Sequence, residues 1–281
     1  MARLERKVFF HVGLPKTAST FLQRNVFPHL EDIFYVKKHD FKRHHDVVAK
    51  SDENRVLLSV EFNPHPGDKD GEQKLRDVKE TYDEVYPIIV LRRHSSWIKS
   101  RYKYHIRKHG TYDLEEFVDP ETLLGGQMRN FLQYFTKIEL LEKTYGHAPL
   151  VLFQEELKNH PLKTIEAIAE YAGASLDEES IRVETVKKGY DEKPLKWVLR
   201  FNRFYPFFPK KIHPKFLRKV YKKISQSFIH AVAFAGQFLP DPDKEKDLVP
   251  KEVLKMIDHE YQNDWEKCLA YAREQREVFL N

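Results

Sequence analysis

Short apolar runs separated by stretches of helical spacing restrict most strongly how this chain can fold. The runs occupy residues 8–12, 55–60, 87–91 and 150–153. Each is apolar at successive positions and does not alternate, the pattern of a strand buried on both faces. Helical patterns cover residues 17–28, 72–82, 94–107 and 121–145. Met128, Phe131, Leu132, Phe135 and Ile138 set the spacing of the longest, and Gly146 supplies its C-cap. Another helix opens at His160-Pro161 and closes at Gly173. A strand buried on both faces needs a cover on each. The alternation therefore predicts an α/β fold, a parallel central sheet flanked by helices. After about residue 190 the pattern turns all-helical. It adds a helical C-terminal extension, 191–281, to a core of about 7–190, within a single domain spanning 1–281. In that extension Leu254, Ile257, Tyr261, Trp265 and Cys268 form one apolar stripe, read as one helix packing on the core.

Composition narrows the class. At 41% hydrophobic and 32% charged residues, the chain reads as a soluble globular protein. The most apolar stretch, 228–239, is too short to span a bilayer and carries His230 and Gln237. The opening MARLERK leads into a strand-like run with no secretory apolar region. A single cysteine, Cys268, excludes an internal disulfide and a cysteine-cluster metal site. Together these predict a cytoplasmic setting. The net charge of +5 is unevenly spread. Residues 193–240 hold eleven Lys and Arg and no Asp or Glu, leaving 37 of the 48 basic residues against all 43 acidic ones elsewhere.

The turn from the first strand into the first helix reads HVGLPKTAST, residues 11–20. Backbone N–H groups at a helix start, with the helix dipole behind them, form an anion site. Gly13 allows a tight backbone, Lys16 adds a full charge, and Thr17, Ser19 and Thr20 add hydroxyls. A nucleoside triphosphate loop needs G-x-x-x-x-G-K-[ST]. Here the second glycine is missing and Pro15 precedes the lysine. A second anion-binding combination lies in PIIVLRRHSSWIKSRY, residues 87–102. Arg92 ends the apolar run, with a planar fork suited to phosphate. Ser100 follows eight residues later, two turns into the next helix. Counting eight from Arg93 lands on Arg101, which has no hydroxyl.

At Pro15, Lys16, Thr17, Ser19 and Thr20 the chain resembles the sulfotransferases that use 3′-phosphoadenosine 5′-phosphosulfate (PAPS), whose loop reads roughly P-K-[TS]-G-[TS]-T. Ala18 stands where glycine is commonest there. It keeps the backbone N–H but restricts φ. In the same family an Arg at a strand end and a Ser eight residues on hold the donor's 3′-phosphate, which maps to Arg92 and Ser100. A later strand, acidic turn and helix match residues 150–173 in a structural role. A basic-Gly loop that closes over the adenosine 3′-phosphate matches Lys188 and Gly189. The resemblance covers roughly residues 7–190. It implies a P-loop NTPase-like sulfotransferase fold and in-line sulfuryl transfer to a hydroxyl or amine, leaving adenosine 3′,5′-bisphosphate, with no metal. It assigns Lys16 to charge on the leaving oxygen. Pro15, Lys16, Thr17, Ala18, Ser19 and Thr20 are assigned to the donor's 5′-phosphosulfate.

The general base is taken to be Glu61, just past the end of the second apolar run, where the ligand crevice of an open α/β sheet lies. His39, His65, His94 and His105 are the other candidates, while His11 shapes the loop and Phe21 packs in the core. The resemblance is nearest carbohydrate and bacterial members and implies a glycan acceptor. Two other functions stay open. A P-loop nucleotide or sugar kinase would need the missing glycine and magnesium-holding carboxylates. A non-enzymatic binder of anionic surfaces would use residues 193–240, where Trp197, Phe201, Phe204, Tyr205, Phe207 and Phe208 interleave with the cations. For an enzyme, that segment has three readings: solvated helices, an attractor of an anionic glycan, or a peripheral membrane contact. Nucleic acid is not expected as a partner.

Overall fold

The computed structural model describes residues 3–177, 181, 190–204 and 215–279. The strands are β1 (Leu4–His11), β2 (Leu30–Glu31), β3 (Phe34–Val36), β4 (Arg55–Ser59), β5 (Tyr82–Leu91), β6 (Leu150–Phe153) and β7 (Ser175–Leu176). The helices are α1 (Ser19–Phe21), α2 (His44–Val48), α3 (Lys69–Thr81), α4 (His94–Arg107), α5 (Leu114–Val118), α6 (Leu123–Leu132), α7 (Tyr134–Tyr145), α8 (Gln154–Asn159), α9 (Pro161–Ala172), α10 (Glu192–Phe204), α11 (Lys215–Phe238), α12 (Lys251–Glu260) and α13 (Gln262–Phe279). They form two compact units. The first comprises Met1–Arg93, Asn130–Val186 and Tyr261–Asn281; the second comprises His94–Arg129 and Lys187–Glu260.

The first unit is built on a five-stranded sheet in the order β3-β4-β1-β5-β6, with β2 and β7 pairing separately. Every ladder in the larger sheet is parallel. β1 lies at its centre, Phe9 facing Leu57 on one side and Tyr86 on the other. Its second half is buried throughout, as the unbroken apolar run requires. One sheet face packs Phe10, Leu58, Ile89 and Val151 against Leu75, Ile138 and Trp265. The other packs Phe9, Leu57, Val90 and Leu152 against Leu22, Phe27, Ile165 and Ile168. This is the predicted α/β architecture, a parallel sheet covered on both faces. β5 begins at Tyr82, five residues before the apolar run, and the preceding helix stops at Thr81. Three-residue β3 was not expected, because so short a run carries no periodic signal.

Two helical patterns divide. The stretch 121–145 becomes α6 and α7, broken at Gln133. The stripe from Leu254 to Cys268 becomes α12 and α13, broken at Tyr261. Leu254 and Ile257 belong to the second unit, whereas Trp265 and Cys268 enter the first unit's core. The helical stretch after the opening loop is α1, then a π-helical turn over Leu22–Val26 and a 3₁₀ turn over Phe27–His29 containing Pro28.

The second unit is helical. Asn202 on α10 donates to the Ile106 carbonyl in the last turn of α4 and to the Gly110 carbonyl beyond it. α10 and α11 pack closely at Gly236, where an added Cβ would lie 3.1 Å from Trp197 and 3.2 Å from Pro194. Among the described residues no helix is long and apolar enough to cross a membrane.

Candidate functional site

The site follows from the sheet. All strands of the larger sheet run the same way, so their C-terminal ends share one edge, where open α/β sheets place ligands. Each end delivers polar groups: Lys38 just past β3, Glu61 just past β4, the 12–20 loop after β1, Arg92 after β5, and Glu155 after β6.

The loop leaves β1 still pinned to its neighbours. Val12 N–H donates to Ile88 O at 3.0 Å and Leu14 N–H to Val90 O at 3.2 Å. Phe62 N–H donates to Val12 O at 3.3 Å. Gly13 has φ 103, and an added Cβ would lie 3.3 Å from the Glu61 Cα. Both facts call for glycine, one by conformation and one by space. Lys16 and Ala18 then adopt φ 73 and φ 67. Left-handed residues in a tight turn help aim backbone N–H groups into one concavity, a geometry that holds anions. Ala18 is left-handed, a conformation that glycine would adopt without steric cost.

Thr17 and Ser19 are buried, and both hydroxyls donate to the Leu14 carbonyl, at 2.6 and 3.0 Å. They hold the loop closed on itself. Thr20 is exposed, and Pro15 and Lys16 are half-buried. Arg92 reaches the loop from β5, its Nη1 donating to the Lys16 carbonyl at 3.2 Å. Burial pulls its affinity for a proton down, partly offset by Glu155. Glu155 also accepts the Arg93 N–H at 3.1 Å. The structure therefore brings together Gly13, Lys16, Ala18, Glu61 and Arg92. Ser100 lies half-buried on α4, in the second unit. Lys188 and Gly189 lie outside the described residues.

Glu61 Oε2 accepts from Lys38 Nζ at 2.8 Å, with 19% of the Glu61 side chain exposed. Lys38 opens a 3₁₀ turn directly after three-residue β3. Its only signal in the sequence is a lysine two residues past a strand too short to detect. Beneath lies a second polar group that residue types alone did not suggest. His11 is fully buried, its Nδ1 2.7 Å from Ser59 Oγ, which also accepts from Gln23 Nε2 at 2.9 Å. Burial, then Lys38, pushes the imidazole down to about 3, so it stays neutral and structural. The other histidines are scattered. His39 is exposed beside Asp40, His65 bonds Gln133, and His94 and His105 belong to the second unit. Phe21 packs against the core as expected. Among the described residues no cluster of His, Cys, Asp or Glu is arranged to hold a metal ion.

No protein-family model matches the chain, and no curated protein sequence does. Solved structures do. A sulfotransferase from Alicyclobacillus acidocaldarius superposes at a TM-score of 0.51 and 19% identity, covering 71% of this chain and 93% of that one. This chain has the sulfotransferase fold. Two looser likenesses are the mouse sulfotransferase SULT7A1 complexed with PAP and the sulfotransferase domain of the curacin biosynthetic pathway. The first has a TM-score of 0.40 at 16% identity, covering 64% of this chain and 63% of that one. The second has a TM-score of 0.42 at 12% identity, covering 66% and 80%. Both are too distant to add to the argument. In the sulfotransferase fold of this chain, the loop after β1, Glu61 and Arg92 share the sheet's carboxyl edge.

Proposed function

We propose that the protein is a sulfotransferase that moves a sulfuryl group from PAPS to a hydroxyl or amine, the acceptor being a glycan. The contact between Arg92 and the Lys16 carbonyl carries this reading, because it joins two anion-binding motifs at one sheet edge. The residues suit the donor. A left-handed loop with a lysine matches a 5′-phosphosulfate, and a half-buried guanidinium beside it matches a phosphate.

The transfer balances without a redox partner or a metal. The acceptor oxygen or nitrogen forms a bond to sulfur as the bridging S–O bond breaks. The leaving phosphate oxygen gains charge, and the Lys16 ammonium and the loop N–H groups stabilise it. Glu61 takes the acceptor proton, and Lys38 orients its carboxylate. Arg92 would hold the 3′-phosphate. Most of the work is positioning and charge stabilisation, as in phosphoryl transfer.

Thermal unfolding tests the class. Adenosine 3′,5′-bisphosphate should raise Tm and ATP with Mg²⁺ should not; the reverse pattern would favour a kinase. Lys16→Ala should then lower sulfuryl transfer from PAPS by about 10²–10³-fold, the usual cost of removing one charge-stabilising donor. Near-parental turnover in that variant would remove Lys16 from the mechanism.

A further inference from the structure

Helix α11 has two apolar faces, and the fold uses one. Ser225, Ile229, Ala233 and Gly236 are buried, and Phe228 meets Phe201 on α10 with ring centroids 5.0 Å apart. The opposite face carries Val220, Ile224, Phe234 and Phe238, the last three 63%, 62% and 76% exposed. At 3.6 residues per turn these four positions fall within about 80° of arc. Exposed Ser227 and Ala231 lie between them, and exposed Lys223 borders the strip. Phe234 and Phe238 touch each other edge to face and still leave most of their surface to water. A stripe of this size on a helix already anchored by its other face marks an interaction surface.

The charge pattern selects the occupant. Five of the nine residues 215–223 are Lys or Arg, and residues 224–240 hold no charged side chain at all. Across 193–240 there is no acid. A surface that paired with a second copy of itself in parallel would bring these cations together, and an antiparallel pair would set them against an uncharged half, with no carboxylate in the segment to meet them in either case. An anionic lipid surface meets both halves of the helix: headgroups take the cations, and the acyl boundary takes the phenylalanines. We propose that α11 lies in the plane of an anionic membrane, its outer face buried among the lipids. Of the three sequence readings of the basic segment it takes the peripheral membrane contact, and it does not depend on sulfuryl transfer.

Co-sedimentation with vesicles tests it. The protein should pellet with mixed phosphatidylserine–phosphatidylcholine vesicles and much less with pure phosphatidylcholine. Salt near 1 M should release much of it, because screening then acts within about 3 Å. Phe234→Ser with Phe238→Ser should weaken partitioning at least about tenfold without lowering Tm, since both rings are exposed. A second readout does not rely on a loss. Phe238→Cys labelled with a polarity-sensitive dye should shift to the blue on adding the mixed vesicles, the native Cys268 being buried. Equal partitioning of parent and double variant, or a label that stays in water, would overturn the proposal. So would a dimer in sedimentation velocity that the same double substitution dissolves, which would assign the stripe to a second copy of the chain.

Discussion

Ala18 shows how a motif can be legible while its mechanics are not. The run Pro15–Thr20 announces an anion loop from residue types alone. That Ala18 is left-handed, at φ 67 and ψ 12, emerges only in three dimensions. Alanine in this region costs about 1–2 kcal/mol relative to glycine. Ala18→Gly should therefore stabilise the protein by about that amount, read as a higher midpoint in urea with an unchanged slope. Gly13→Ala should do the opposite, because its φ of 103 and the nearby Glu61 Cα both resist a side chain. The hydroxyls were ambiguous for a different reason. Thr17 and Ser19 can donate to a ligand or to their own backbone, and here both close on the Leu14 carbonyl. Glu61 was reachable as a strand-end carboxylate, but its partner Lys38 was not, since it follows a strand too short to detect. Glu61→Gln should lower kcat by about 10²–10⁴-fold and leave bisphosphate affinity near parental, because the group acts on the acceptor. Unchanged kcat at saturating acceptor would reassign the base.

Four strands of the larger sheet and most of the longer helices were legible, the strands as unbroken apolar runs and the helices by their spacing. The break between α6 and α7 was not, because one of its causes is distant in sequence. Asp264, on α13, accepts the Tyr134 and Phe135 N–H groups at 3.1 Å and caps α7 from outside. Lys137 works the other way. Its ammonium is wholly buried and donates to the Asn130 and Gln133 carbonyls, at 2.6 and 2.9 Å, which closes the end of α6. The edge strand β6 is finished in the same manner. Gln275 accepts the Val151 N–H and donates to the Pro149 carbonyl, an amide standing in for a missing strand. Burial, opposed by Asp264, lowers the Lys137 ammonium to about 7 from its usual 10.5. Between those values the unfolded chain holds a proton that the folded one sheds, so stability should rise with pH from about 7 toward 10.5. Lys137→Met should flatten that rise. Urea titrations at neutral and mildly alkaline pH would show it, and parallel profiles for parent and variant would exclude Lys137 as the source.

At the scale of the molecule the chain order matters as much as the local patterns. The second unit is threaded between segments of the first, which is complete only when Tyr261–Asn281 returns. That return supplies Trp265, Cys268 and Ala272 to the core; the stripe through Trp265 and Cys268 announced such packing, and the break at Tyr261 was not visible in it. Each unit also buries a neutral histidine. His11, in the first, is driven down to about 3 by burial and then by Lys38. His105, in the second, is driven down to about 4 by burial and then by Arg101. Its ring stacks on Tyr112 and lies against Gly110, where an added Cβ would collide with it. Both groups have folded values below the unfolded 6.5, so their stabilising contribution is complete above 6.5 and is lost as pH falls toward about 4 and about 3. Each proton taken up only on unfolding steepens that loss by about 1.4 kcal/mol per pH unit. The full slope applies to the wholly buried His11, and a smaller one to the partly exposed His105. His11→Asn should therefore lose less stability on acidification than the parent. Hydrogen exchange locates the effect. On acidification, amides of β1 and β4 should lose less protection in His11→Asn than in the parent, while those of α4 should respond to a His105 substitution. Unchanged acid sensitivity in both variants would mean that neither imidazole takes up a proton on unfolding.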